Sequence, residues 1–360
     1  MRGLFVRFFS LLSAAALLAA CGGGEPYEPP ASRAVTPEEI VEAKAYLEAN
    51  YTPLPDGWEF SWITFDDEKS LRVGHATPES AKATVLFVPG YTSSPELASD
   101  FMAHWFDLGY EVASVDMPGQ GGSERRDDDY QKTYTGDFHL YGRALGAAFD
   151  HIRETRLSDG PLIVAGDSFG GHVLLRAAAD GELDGADALF PLVPGLSANL
   201  GWVPEWLALS AIKSGAKKNG PTAYMDGEGP WDPDSWGPDA YEFCGRGRVD
   251  RVLKNQSLFT IQPELRVGGV SNEYAIGFTE SGNELISNKV LASLDIPVSM
   301  VTAGHERVVT TKDAHKLCNR NMGTCELVHL READHCLYIS PQSIQDQVHE
   351  ALEALYQRAT

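Results

Sequence analysis

The chain has 360 residues, 43% of them hydrophobic, enough to build one large domain with a well-buried core. Its 29 Lys and Arg stand against 51 Asp and Glu, a formal charge of −22. A chain this acidic is repelled by phosphate backbones, which excludes nucleic acid as a partner.

Residues 1–20 read as an export signal. Arg2 and Arg7 give a basic start, and the small, apolar run 11–20 is too short for a stable membrane span. The run ends in Leu18-Ala19-Ala20-Cys21, which resembles the bacterial lipobox. That resemblance implies cleavage before Cys21 and acylation of the new terminal cysteine. Gly22 in the next position resembles lipoproteins sent on to an outer membrane, here facing the periplasm. Residues 21–35 then form a Gly- and Pro-rich tether with no fold of its own. The body behind it is acidic, so contact with a bilayer is expected to depend on the acyl chains of Cys21.

Regular patterns begin at residue 36. Thr36 can cap a helix over 36–50, with Pro37 at its first position and Glu38 and Glu39 in its first turn. Residues 58–65 and 71–76 read as an antiparallel strand pair, and 83–88 (ATVLFV) as a fully buried strand. A helix over 96–108, a strand over 111–115, a tight loop over 116–125 and a long helix over 136–156 follow. Next come a strand at 162–165, a helix from Gly171, and a strand over 186–193. Strands alternating with helices predict an α/β fold, a mostly parallel sheet with helices on both faces.

The alternation breaks over 194–293, which holds Trp202, Trp206, Trp231, Trp236 and Tyr241. An insertion there lies over the C-terminal edge of the sheet, where ligands bind in this architecture, and it reads as a cap. The cap's first part, 201–209, offers large apolar side chains to grip an acyl chain. The alternation resumes with a strand at 297–302, a helix at 311–317, a strand at 325–330 and a closing helix at 343–356. The expected sheet has about eight strands, built from 36–193 and 294–360 with the cap between.

The stretch PLIVAGDSFGGH, 161–172, runs from strand through Gly166-Asp167-Ser168-Phe169-Gly170 into helix. That is a nucleophile elbow, in which the glycines leave room for two backbones to meet and Ser168 sits at the tip. A serine hydroxyl is a poor nucleophile near neutral pH and needs an adjacent base. On α/β-hydrolases the chain order is Ser, acid, His. Arg331-Glu332-Ala333-Asp334-His335 follows the last strand, making His335 the candidate base ahead of His172, His305, His315 and His349. Glu306 follows the strand 297–302 and is the candidate acid ahead of Asp313 and Asp334. Backbone N–H groups of Tyr91 and Phe169 are the candidate oxyanion hole.

With those residues in place the chain resembles the lysophospholipase and monoacylglycerol lipase group of α/β-hydrolases, often labelled the serine aminopeptidase type. The stretches LFVPGYTSSPE, DMPGQGGSER, GDSFGG, PELRVGGVSNEYAIGF, TAGHERVV and ADHCLYIS carry it over most of 55–357. Three residues depart from the pattern: Asp167 where that branch often has His, Glu306 where Asp is usual, and Cys336 where Glu is usual. The resemblance implies hydrolysis of the carboxylic ester of a lysophospholipid or monoacylglycerol, without metal or cofactor. Related chains release N-terminal residues from peptides, and a binder without turnover is the non-enzymatic alternative. In an exported chain the loop between Cys318 and Cys325 is expected to be closed by a disulfide. Cys244 and Cys336 are left as either a second bridge or two buried thiols.

Overall fold

The computed structural model describes residues 27–29, 31–66, 69–235 and 249–360. The export signal, Cys21, Trp236, Tyr241 and Cys244 lie outside the described residues.

Eight strands form a single sheet: β1 (Glu59–Phe65), β2 (Lys69–Ala76), β3 (Ala83–Val88), β4 (Tyr110–Val115), β5 (Leu162–Asp167), β6 (Ala188–Leu192), β7 (Val298–Ala303) and β8 (Cys325–Leu330). Their order across the sheet is β1-β2-β4-β3-β5-β6-β7-β8. β2 pairs antiparallel with β1 and β4, and the other pairings are parallel. The expected α/β-hydrolase architecture is therefore present, with β5 at its centre.

The unbroken apolar run of β3 has a physical reason. Successive side chains of a strand point to opposite faces. Leu86 and Val88 enter one hydrophobic cluster, and Val85 and Phe87 enter the other. Helices α3 (Phe138–Thr155) and α4 (Phe169–Asp180) cover the first face, and α2 (Ser99–Asp107) and α10 (Gln342–Ala359) the second. Burying each such side chain on both faces is worth about 1.5–3 kcal/mol, so the central strands hold the site rigidly.

The N-terminal helix α1 (Pro37–Asn50) starts with a complete capping box between Thr36 and Glu39. The insertion 194–293 holds α5 (Glu205–Asn219), α6 (Val249–Ile261), α7 (Asn272–Ile286) and α8 (Lys289–Ala292). Its small core gathers Trp231, Leu258, Phe259 and Leu265, joined by Leu47 of α1 and by Leu97. The end of the tether also grips this insertion. Tyr27 donates its hydroxyl to the Glu228 carbonyl at 2.7 Å, and Arg33 pairs with both Glu39 and Asp234.

Three details differ from expectation. The helix expected from residue 96 starts at Ser99, because Leu97 and Ala98 turn back to the Ser94 carbonyl. The helix expected over 311–317 is α9 (Thr311–Lys316), which runs into a wider π turn at Leu317–Asn321. Of the stretch 201–209, Ala208 and Leu209 line an apolar pocket beneath α5, whereas Trp202 and Trp206 face outward, 79% and 71% exposed. The Cys318–Cys325 disulfide is present and closes the loop into β8.

Candidate active site

The elbow is built by steric necessity. Ser168 follows β5 and takes φ 53° and ψ −110°, a strained conformation outside the usual regions, before α4 begins at Phe169. A Cβ on Gly170 would stand 2.0 Å from the Val88 carbonyl oxygen, and one on Gly166 would stand 2.4 Å from the Gly170 carbonyl oxygen. Only glycine lets β3, β5 and α4 approach this closely. The Ser168 carbonyl accepts from the N–H groups of His172 and Gly195, which fixes the turn.

The loops after β7 and β8 are stitched together. Gly304 donates its N–H to the Leu330 carbonyl and His305 donates to the Ala333 carbonyl. This brings His335 and Glu306 to Ser168. His335 Nε2 lies 2.7 Å from Ser168 Oγ, and His335 Nδ1 lies 2.8 Å from Glu306 Oε2. The side chains of His335 and Glu306 are 6% and 3% exposed, so little water competes for these bonds. Glu306 Oε1 accepts the N–H groups of Val308 at 2.8 Å and Val309 at 3.1 Å, which pins the carboxylate. The insertion reinforces that loop. Residues 197–199 pair with it through an Ala198–Val309 bridge, the Asn199 N–H donating to the Val308 carbonyl and the Thr310 N–H to the Ser197 carbonyl.

The electrostatics follow from burial and pairing. Burial alone pushes the Glu306 carboxyl up, but the charge and hydrogen bond of His335 and the two backbone N–H groups bring it below its ordinary value. Burial pushes the His335 imidazole down, but the charge and hydrogen bond of Glu306, with Asp167 adding, raise it above its ordinary value.

The other histidines and acids are elsewhere. His172 is buried between the Gly195 carbonyl and Ser281 Oγ, and burial pushes it down to about 4. His349 faces Trp105 Nε1, His315 faces Thr302, and His305 lies near Glu332. Asp313 accepts from Thr310 Oγ1. Glu306 is the carboxylate on His335 Nδ1.

The loop after β3 lies against the elbow. The Cβ position of Gly90 is 3.5 Å from Ser168 Cβ, and the ring of Tyr91 packs edge-on to Phe169 at 6.4 Å. Among the described residues, neither the Tyr91 nor the Phe169 N–H donates to a carbonyl outside regular structure. A residue without an assigned role in the sequence reading shapes this loop: Gln120 Oε1 accepts the Thr92 N–H at 2.7 Å and its Nε2 donates to the Gly90 carbonyl. Its signal was its place inside DMPGQGGSER. Asp167 is buried beside the nucleophile, its Oδ1 has no partner among the described residues, and burial pushes its carboxyl up to about 7. Among the described residues no group of three or more His, Cys, Asp or Glu is arranged to hold a metal ion.

A small apolar pocket of about 30 Å³ lies beneath α5, lined by Ala198, Leu200, Leu209, Ile212 and Phe278 with Glu205 among them. A Cβ on Gly195, the residue that donates to the Ser168 carbonyl, would stand 3.1 Å from the Phe278 ring, so that ring lies between the pocket and the elbow.

The model of the family described as serine aminopeptidase, S33, matches residues 79–342. No curated protein matches the chain by sequence. Among solved structures, a soluble variant of monoglyceride lipase from Saccharomyces cerevisiae superposes with a TM-score of 0.64 at 16% identity, covering 86% of this chain and 97% of that one. Monoacylglycerol lipase from Paleococcus ferrophilus gives 0.59 at 14% identity, covering 83% and 99%. An α/β hydrolase from Penicillium sp. sh18 gives 0.59 at 19% identity, covering 84% and 99%. At these identities the likeness is one of fold. Together with the family match over most of its length, it means that this chain belongs to the serine aminopeptidase S33 family of α/β-hydrolases.

Proposed function

We propose that the chain is a serine esterase acting on a monoacyl lipid ester, a monoacylglycerol or lysophospholipid, through Ser168, His335 and Glu306. The observation that carries this reading is the unbroken relay of 2.7 Å and 2.8 Å from Ser168 Oγ through His335 to Glu306. Ser168 Oγ bonds the ester carbonyl carbon as His335 Nε2 takes its proton. Glu306 holds Nδ1–H in the right tautomer and stabilises the imidazolium. The N–H groups of Tyr91 and Phe169 receive the oxyanion, and losing one such donor costs about 2.7–4 kcal/mol in the transition state. The C–O bond to the alcohol breaks as His335 returns the proton to it. Water then attacks the acyl-enzyme with His335 again as base, and the free acid leaves.

The two similar structures that bear monoglyceride and monoacylglycerol lipase names support an acyl substrate, as do the apolar residues beneath α5. Each buried CH₂ is worth about 0.8 kcal/mol, up to roughly fourfold in kcat/KM. For monoacyl esters of rising chain length, kcat/KM is expected to climb until the acyl site is full. A flat ester series with faster cleavage of aminoacyl amides would overturn the ester reading.

An aminopeptidase needs acids gathered to hold an ammonium group. Asp232 and Asp234 instead hold Arg33, Asp226 accepts from Asn219, and Glu205 accepts from Asn283. Glu228 is buried and pushed up to about 8 by burial, which favours its neutral form at pH 7.

The proposal includes a lipid anchor on Cys21 in the bacterial envelope, on the periplasmic face of an outer membrane, motivated by Leu18-Ala19-Ala20-Cys21. Mass spectrometry of the mature N-terminus should find a diacylated or triacylated Cys21, and Cys21→Ser should release the protein or block its maturation. An unmodified end at any other residue would sink the anchor.

A further inference from the structure

Trp202 and Trp206 have no role in the site, and their placement calls for one. They are 79% and 71% exposed, whereas Trp105 and Trp231 are fully buried. Trp206 stands in the first turn of α5 and Trp202 in the turn that leads into it. Lys213 and Lys217 continue the outer face of Trp206 along the helix, and a shallow surface depression joins Trp206, Leu209, Lys213 and Lys217. The helix itself is thinly held: Ala208 is its one buried residue. Leu209 lines both this outer depression and the apolar pocket beneath the helix, so the outer face and the pocket meet at that residue.

We propose that the outer face of α5 docks on a zwitterionic phospholipid layer, with Trp202 and Trp206 seated at the level of the head groups. Indole suits that depth, having a large apolar body and one N–H donor. The last turns of α5 carry Lys213, Lys217 and Lys218; Lys213 is paired with Glu280 at 2.7 Å, which leaves Lys217 and Lys218 as the nearest ammoniums for lipid phosphate. Charge decides between occupants. A body of formal charge −22 is repelled by an anionic surface and by a second copy of itself. A zwitterionic layer offers phosphate oxygens to the lysines without a net negative field. The docking rests on the exposed face of α5 and needs no turnover, so it can hold or fail independently of the esterase reading.

The test uses the full purified chain, both as wild type and as Ser168→Ala, with vesicles of phosphatidylcholine brominated in its acyl chains. Bromine quenches only those indoles that enter the layer. Two of the seven tryptophans should be quenched in the wild type and in Ser168→Ala. The double substitution Trp202→Phe and Trp206→Phe should reduce that quenching about threefold or more. Because the readout is depth of those two side chains, an acyl anchor holding the protein near the vesicle does not produce it. A second readout compares turnover of a vesicle-borne ester with turnover of the dissolved short-chain ester. That ratio should fall about fivefold or more in Trp202→Ser/Trp206→Ser. Equal quenching of wild type and Phe variant, or none in either, overturns the proposal. Concentration-dependent self-association that is lost with the two tryptophans, without lipid quenching, overturns it in favour of a second copy.

Discussion

Ser168→Ala and His335→Ala are each expected to lower kcat for ester hydrolysis by a factor on the order of 10⁶, and the double variant by little more. Such non-additivity is expected because the two residues act as one unit: Oγ without the base stays protonated, and the base without Oγ has only water to activate. The 2.7 Å contact between them motivates the claim. Neither change should unfold the protein. Ser168 Oγ bonds His335, while its strained backbone is held by its own N–H donating to the Leu192 carbonyl and by the N–H groups of His172 and Gly195 donating to its carbonyl, all of them main-chain bonds that alanine keeps. Thermal unfolding within a few degrees of the wild type, with residual activity from oxyanion stabilisation alone, is the expected pair of results. Additive losses would mean that the two residues do not share a step.

Glu306→Ala is expected to cost less, on the order of 10⁴ in kcat, because Ser168 and His335 remain in place. Its more informative effect is on pH. The base must be neutral to accept the Ser168 proton, so activity is lost as pH falls through the His335 pKa. Burial lowers that pKa, and the charge and hydrogen bond of Glu306 more than offset it, so the wild-type acid limb should lie above the ordinary imidazole value. Removing Glu306 removes the larger raising causes and leaves that of Asp167. The acid limb of the residual activity should then move to lower pH, and Glu306→Asp should move it back part of the way. An unmoved limb in Glu306→Ala, or a comparable loss of rate in Asp313→Ala, would show that another carboxylate holds the imidazole.

Much of this arrangement was legible in the chain because steric and topological demands leave marks on residue type. The elbow needs glycine where a Cβ would strike the Val88 carbonyl, and Gly170 is there. Glu306 and His335 were found because each follows an apolar strand near the end of the chain, and in a parallel sheet those strand ends share one edge. Backbone donors leave no such mark. Nothing in the side chains of Val308 and Val309 announces that their N–H groups pin Glu306, and the role of Gln120 depends on where two distant loops meet. The stretch 201–209 was legible only in part for a related reason. Its apolar residues announce a surface that must be covered, yet Ala208 and Leu209 turn inward while Trp206, and Trp202 in the turn before α5, are turned outward. Helical periodicity gives the stripe and leaves open which neighbour covers it.

The most direct test of the central claim is covalent labelling of the full chain with a fluorophosphonate, followed by peptide mapping. The phosphorus bonds only a hydroxyl activated by a working base, so the reagent reports the relay without any assumption about the natural substrate. The account predicts one adduct per chain, on Ser168, formed at a rate that rises with pH through the His335 ionisation and lost in His335→Ala. A protein that remains unlabelled, or an adduct on any other residue, would contradict it.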